Sequence, residues 1–151
     1  MQDISAHITY REATHSETAE SLGIKNIPSK AEFQSMQLVA KTVFEPVRNY
    51  IGKPIRVTSF FRSLALNKAI GGSKSSQHVL GQAIDMKHTE GFTNAEIFQL
   101  IRHLGIFDQL IWEFGTDHEP DWVHVSYKPT GNRKQVLKSV KVDGKTKYLV
   151  R

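Results

Sequence analysis

The chain has 151 residues, with 20 Lys and Arg against 15 Asp and Glu, a formal net charge of +5 and a sequence pI of about 9.5. It contains no cysteine, which excludes disulfides and thiolate metal sites, so any metal here must be held by His, Asp or Glu. No apolar run is long enough to span a bilayer, and the length suits one domain, residues 1–151, large enough to bury about 70% of its unfolded surface.

The N-terminal stretch MQDISAHITYREATHS lacks a basic start followed by an apolar run, so it does not read as a secretory signal. The expectation is a cytoplasmic chain that leaves the cell only if something else releases it. Ser29 to Glu32 is a capping box that opens a helix. Phe33, Met36, Ala40, Val43, Phe44, Val47 and Ile51 continue it at helical spacing, and Gly52 ends it. Pro46 falls inside this run and predicts a kink or a split in the last turn. PIRVTSF, from Pro54 to Phe60, predicts a strand, and Ser63 to Ile70 predicts a short helix closed by Gly71 and Gly72. SKSSQH predicts a loop and QAIDM a strand. Thr93 to Glu96 is a second capping box, whose helix runs to Leu104 and stops at Gly105. Asp108 to Phe114 and Trp122 to Tyr127 predict two further strands around the loop TDHEPD. Asp143 and Gly144 signal a closing hairpin. Helices and strands mix without regular alternation, which predicts an α+β fold with a mainly antiparallel sheet and helices packed on it.

Chemistry concentrates in SQHVLGQAID, from Ser76 to Asp85. Its acid ends what reads as a buried strand, and a buried carboxylate is costly unless paired or bound to a metal. By strand parity Ala83 and Asp85 share one face, as do Trp122, His124 and Ser126. Each strand can therefore present one ligand-type side chain, while His78 sits on the loop just before, turned tightly by Gly81. Two His and one carboxylate leave a fourth tetrahedral position, the pattern of a catalytic rather than a structural zinc site. Asp121 follows Pro120; parity puts it off the His124 face, but a bend at the proline would bring it toward the site as a general base. Arg62 ends a strand and could hold a substrate carboxylate or carbonyl oxygen. Each residue also has a plainer reading. His124 would be a packed strand residue, Asp85 an acid bonded to loop amides, Arg62 a surface cation and Asp121 a turn residue.

The run Ser-x-His-x-x-Gly-x-Ala-x-Asp resembles the motif of the zinc D-Ala-D-Ala carboxypeptidase and L-alanyl-D-glutamate endopeptidase family, within the wider group that includes the Hedgehog signalling domain. VTSFFRSLALNKAIGGSKSSQH resembles the segment leading into that family's first ligand, and FDQLIWEFG and DWVHVSY resemble its closing strands. TAESLGIKNIP and NRKQVL resemble flanks of a bacteriophage- and prophage-associated subset, so the likeness runs from about Ala6 to Leu137. It implies one zinc per chain on His78, Asp85 and His124, Asp121 as the acid of the Asp/Glu-x-x-His motif, and Arg62 on the substrate. It further implies that Ser76 orients the loop and that Trp122 packs beside the site. Relatives often carry glycine where this chain has Phe60, so a bulky side chain is expected to narrow the groove there. His7, His15, His88, His103 and His118 match no ligand position.

The expected activity is zinc-dependent hydrolysis of peptidoglycan stem peptides, with endopeptidase action favoured over D-Ala-D-Ala carboxypeptidase action. A catalytically silent metal-binding virion module is the rival, and virion components are conceivable partners. Nucleic acid is not expected as a partner, because the basic residues are scattered without interleaved aromatics.

Overall fold

A computed structural model describes residues 2–151. Its elements, in order, are α1 (Tyr10–Thr14), α2 (Glu17–Leu22), α3 (Lys30–Val39), α4 (Glu45–Ile51), β1 (Arg56–Ser59), α5 (Leu64–Ala69), β2 (Ala83–Lys87), α6 (Asn94–Leu104), β3 (Gln109–Glu113), β4 (Trp122–Ser126), β5 (Gln135–Val142) and β6 (Lys145–Val150). Hydroxyl side chains start five of the six helices. Thr9, Ser16, Ser29, Ser63 and Thr93 each accept the amide of the third helical residue, an otherwise orphaned donor. At Ser29 the capping box is complete in both directions.

The strands form one six-stranded sheet in the order β1-β2-β4-β3-β5-β6. Every neighbouring pair is antiparallel except β3 and β5, which run parallel. This is the expected α+β architecture. One sheet face carries Ile84, Met86, Leu110, Trp112, Val123 and Val125, all buried against Met36, Val39, Val43 and Phe44 and against Ile97, Phe98 and Ile101 of α6. The opposite face carries Asp85, Ile111, Glu113, Trp122 and His124. Helices cover the first face with apolar side chains. The polar residues of the sheet interior gather on the second.

The first long helix does not stop at Pro46. Residues Ala40–Phe44 form a π-helical stretch between α3 and α4, and Glu45 N–H bonds Ala40 O. The wider turn takes up the carbonyl that a proline ring would otherwise strike. Two other regions differ from expectation. Helices α1 and α2, too short for a clear periodicity, precede the first predicted helix, and the loop ahead of QAIDM contains a 3₁₀ turn at Gln77–Leu80.

Candidate metal centre

Strands β2 and β4 pair so that Asp85 lies directly opposite His124. Side chains at opposed positions share a face, and His124 Nδ1 meets Asp85 Oδ1 at 2.9 Å. His78 arrives from the 3₁₀ turn. Ser76 Oγ accepts the His78 amide at 3.3 Å, and Gly81 closes the turn at a φ of 71°. Only glycine fits there, because a Cβ would stand 2.5 Å from Glu32 O and 2.9 Å from Met36 Cγ.

The tautomer of His78 follows from its surroundings. Nδ1 lies 2.7 Å from Phe60 O, which can only accept, so Nδ1 carries the proton. Nε2 is then a lone pair. It is buried without a hydrogen-bond partner among the described residues and faces Asp85 Oδ2 at 3.3 Å. Two lone-pair atoms aimed at each other in a buried place repel unless a cation lies between them. His78, Asp85 and His124 offer three ligand atoms within 4.8 Å of one another, so the residues present fit a metal ion.

The electrostatics of His78 and Asp85 agree. Burial lowers the His78 pKa, and the attraction of Asp85 does not reverse this, so the ring stays neutral and keeps its lone pair. Burial alone would raise Asp85, yet the hydrogen bond and charge of His124 hold it far below the ordinary carboxylate range. Burial also opposes charge on His124, but the hydrogen bond and charge of Asp85 outweigh it and raise its pKa. The carboxylate stays ionised throughout, as a ligand must.

The sequence profile of the Peptidase M15 family matches residues 6–126, the span that contains all three ligand candidates. The chain belongs to the peptidase M15 family. Comparison with curated proteins returned no match. The family is one of zinc metallopeptidases, and the His-Asp-His group is where this M15 chain can hold its metal.

Around that group the M15 chain arranges further polar residues. Arg62 Nη2 stands 3.5 Å from Asp85 Oδ2, and its Nε donates to Ser59 Oγ at 3.2 Å. Its backbone N–H bonds His78 O at 3.2 Å, which ties the segment after β1 to the His78 turn. Trp122 lies two residues before His124 on the same face, its ring 5.5 Å from that of Phe114. Phe60 does not narrow the groove as the sequence suggested. Its side chain is only 1% exposed and belongs to the core, while its carbonyl serves His78.

Asp121 is exposed, on the bend ahead of β4. Its backbone is fixed at both ends. Its N–H bonds Glu113 O at 2.8 Å and its C=O accepts from Asn94 Nδ2 at 3.1 Å. Glu119 fastens the same loop by accepting the Asn94 and Ala95 amides at the start of α6. His7, His15, His88, His103 and His118 are all exposed and outside the centre.

Sequence reasoning missed Glu113. It ends β3, opposite Trp122 on one side and Ser139 on the other, and is 7% exposed. Burial raises its pKa, and His124, then Ser139, only partly pull it back. The signal was available. Like Asp85, Glu113 is a single acid at the end of an apolar strand, in LIWEF, and the pairing of Ile111 with His124 places it on the His124 face.

Proposed function

We propose that this protein is a zinc peptidase that cuts peptide bonds within the stem peptides of bacterial peptidoglycan. The observation that carries the reading is the His78–Asp85–His124 group in a chain of the peptidase M15 family, with Arg62 held against its carboxylate. Zinc, when bound by these three residues, supplies a Lewis acid that polarises a scissile carbonyl.

Arg62 uses one edge of its fork on Asp85 and Ser59, and its remaining donors hold a substrate carboxylate or the carbonyl oxygen. Ser76 and Phe60 O keep His78 in its working orientation, and Trp122 walls the groove beside His124. A carboxylate takes the proton from the attacking water. Two carboxylates offer themselves for this: Asp121 by motif position, three residues before His124, and Glu113 by its place on the His124 face of the sheet.

Assembled wall is favoured over free precursor because the net charge of +5 draws the protein toward an anionic polymer. The flanking segments that resemble phage relatives fit an enzyme that reaches the wall after release from the cell or as part of a virion.

The test is mass spectrometry of purified sacculi after incubation with the zinc-loaded protein. Soluble muropeptides with new internal peptide ends are expected, in greater yield at low ionic strength because salt screens the attraction. Intact sacculi, together with loss of the last residue from a free D-Ala-D-Ala peptide, would replace endopeptidase by carboxypeptidase action. No cleavage of either substrate would leave a metal-binding module.

A further inference from the structure

We propose that Glu113 is the proton-transfer carboxylate of this centre, and that Asp121 shapes the rim of the cleft instead. The proposal rests on the peptidase reading above and assigns one of its steps to a residue outside the Asp-x-x-His motif.

Three geometric observations carry it. First, Glu113 lies on the metal face of the sheet, since Ile111 pairs with His124 and Glu113 is two residues further along the same strand face. It is thus the diagonal neighbour of His124, a relation of about 7–8 Å between backbones that a long side chain can span. Second, Glu113 is more than nine-tenths buried, and its Oε1 has no hydrogen-bond partner among the described residues. An orphaned carboxylate oxygen in a buried place is costly, and at a functional centre it reads as an acceptor awaiting a donor. Third, the backbone beyond it turns sharply. Phe114 adopts a φ of 53°, and Gly115 follows at 70°. A Cβ on Gly115 would stand 2.2 Å from Glu119 O, so the chain leaves Glu113 by a tight turn against the loop that carries Asp121.

The groups that face Glu113 come from every strand around it. They are His124 on β4, Asp85 on β2, Arg62 after β1, Ser139 on β5 and Tyr148 on β6. Its raised proton affinity suits a group that must accept a proton and return it near neutral pH. Asp121 has neither the burial nor the enclosed position; its exposed side chain leaves only its backbone tied into the fold.

The step balances without any further reactant. Glu113 accepts one proton from water as the water oxygen bonds to the scissile carbonyl carbon. The same proton passes to the amide nitrogen as the C–N bond breaks. One water is added across the bond, giving a carboxylic acid and an amine, and Glu113 returns to its ionised form.

The experiment compares E113Q, E113D and D121N in the zinc-loaded protein. E113Q is expected to keep one zinc per chain and to lose about 100-fold or more in kcat, the usual scale for a positioned acid–base group. E113D keeps the charge on a shorter arm and is expected to lose kcat about tenfold at unchanged KM, whereas D121N stays within about tenfold of the parent. A second readout needs no substrate. Removing a negative charge eases proton loss nearby, so the pH-dependent change in the visible spectrum of the Co²⁺-loaded protein should move down by about one unit in E113Q and stay in place in D121N. Parent-like kcat in E113Q or E113D, or an unmoved cobalt transition in E113Q, would overturn the assignment. If the parent cuts no peptide at all, the peptidase reading fails, and the cobalt titration still judges Glu113 separately.

Discussion

His78 is fixed before any metal arrives. Phe60 O takes its Nδ1 proton, Ser76 holds its amide, and burial keeps it neutral, so its Nε2 lone pair has nowhere to point except at Asp85. The same carboxylate meets His124 through its other oxygen and Arg62 alongside. Asp85 is therefore the hub, and its loss removes a ligand atom together with the partner of His124 and Arg62. Asp85→Ala, His78→Ala and His124→Ala are each expected to abolish stoichiometric zinc binding in calorimetric titration. Asp85→Ala should also lower the His124 pKa, since the carboxylate is what raises it. Full zinc occupancy in any of the three would remove that residue from the ligand set. These residues were legible because ligand chemistry restricts which side chains can serve, and strand parity then sorts them onto faces. Glu113 was not read, although it obeys the same parity, because one acid beside apolar residues announces no spacing motif. Phe60 was misread because a sequence does not say whether an aromatic ring turns to the groove or to the core.

At the scale of elements, the site depends on a 3₁₀ turn of four residues held between α3 and β2. A Cβ on its C-terminal Gly81 would stand 2.5 Å from the backbone carbonyl of Glu32 and 2.9 Å from Met36 Cγ. The helix and the turn are thus packed backbone to backbone, and the capping box at Ser29 fixes where that helix begins. Gly81→Ala would combine a left-handed backbone with a collision against a carbonyl that cannot yield without moving α3. The expected cost is about 2–4 kcal/mol, above the ordinary glycine effect because both terms act together. Zinc affinity should fall as well, since the displaced turn carries His78. A variant with parent-like thermal stability and zinc affinity would mean that the turn is not held in this way. The strong capping signals and the amphipathic spacing of α6 made the helices from Ser29 onward legible. The π-helical stretch was not, because propensity describes each residue and not the accommodation that its neighbours make for a proline. Helices α1 and α2 were missed because five or six residues hold too little periodicity to read.

For the whole molecule, the family match ends at Ser126, yet the sheet continues through β5 and β6. Antiparallel order was legible from the hairpin signal at Asp143 and Gly144, whereas the parallel join of β5 to β3 was not, because it depends on a crossover fixed by tertiary contacts. Asp108 makes that join. It is fully buried at the start of β3 and accepts the Arg133 amide at 2.8 Å, Arg133 Nε at 3.1 Å and Nη2 at 2.7 Å, while its carbonyl accepts the Gln135 amide at 2.9 Å. Burial pushes the Asp108 pKa up, but these hydrogen bonds and charges more than reverse it, leaving it below the ordinary value. A carboxyl depressed in the folded state stabilises the fold fully above its unfolded pKa of about 3.9, and that stabilisation is lost as pH falls through the folded value. Arg133→Gln removes the guanidinium and leaves the backbone bond. The expected loss near neutral pH is about 1 kcal/mol, at the low end for charged hydrogen bonds because the Arg133 side chain is about half exposed. Below the carboxylate range Asp108 is protonated in both proteins, so the difference should shrink toward zero. Urea unfolding of the parent and the variant near neutral pH and again in acid measures this directly. An equal loss at both pH values would mean that Arg133 acts through packing, and that β5 is fastened to the sheet by something other than the charge on Asp108.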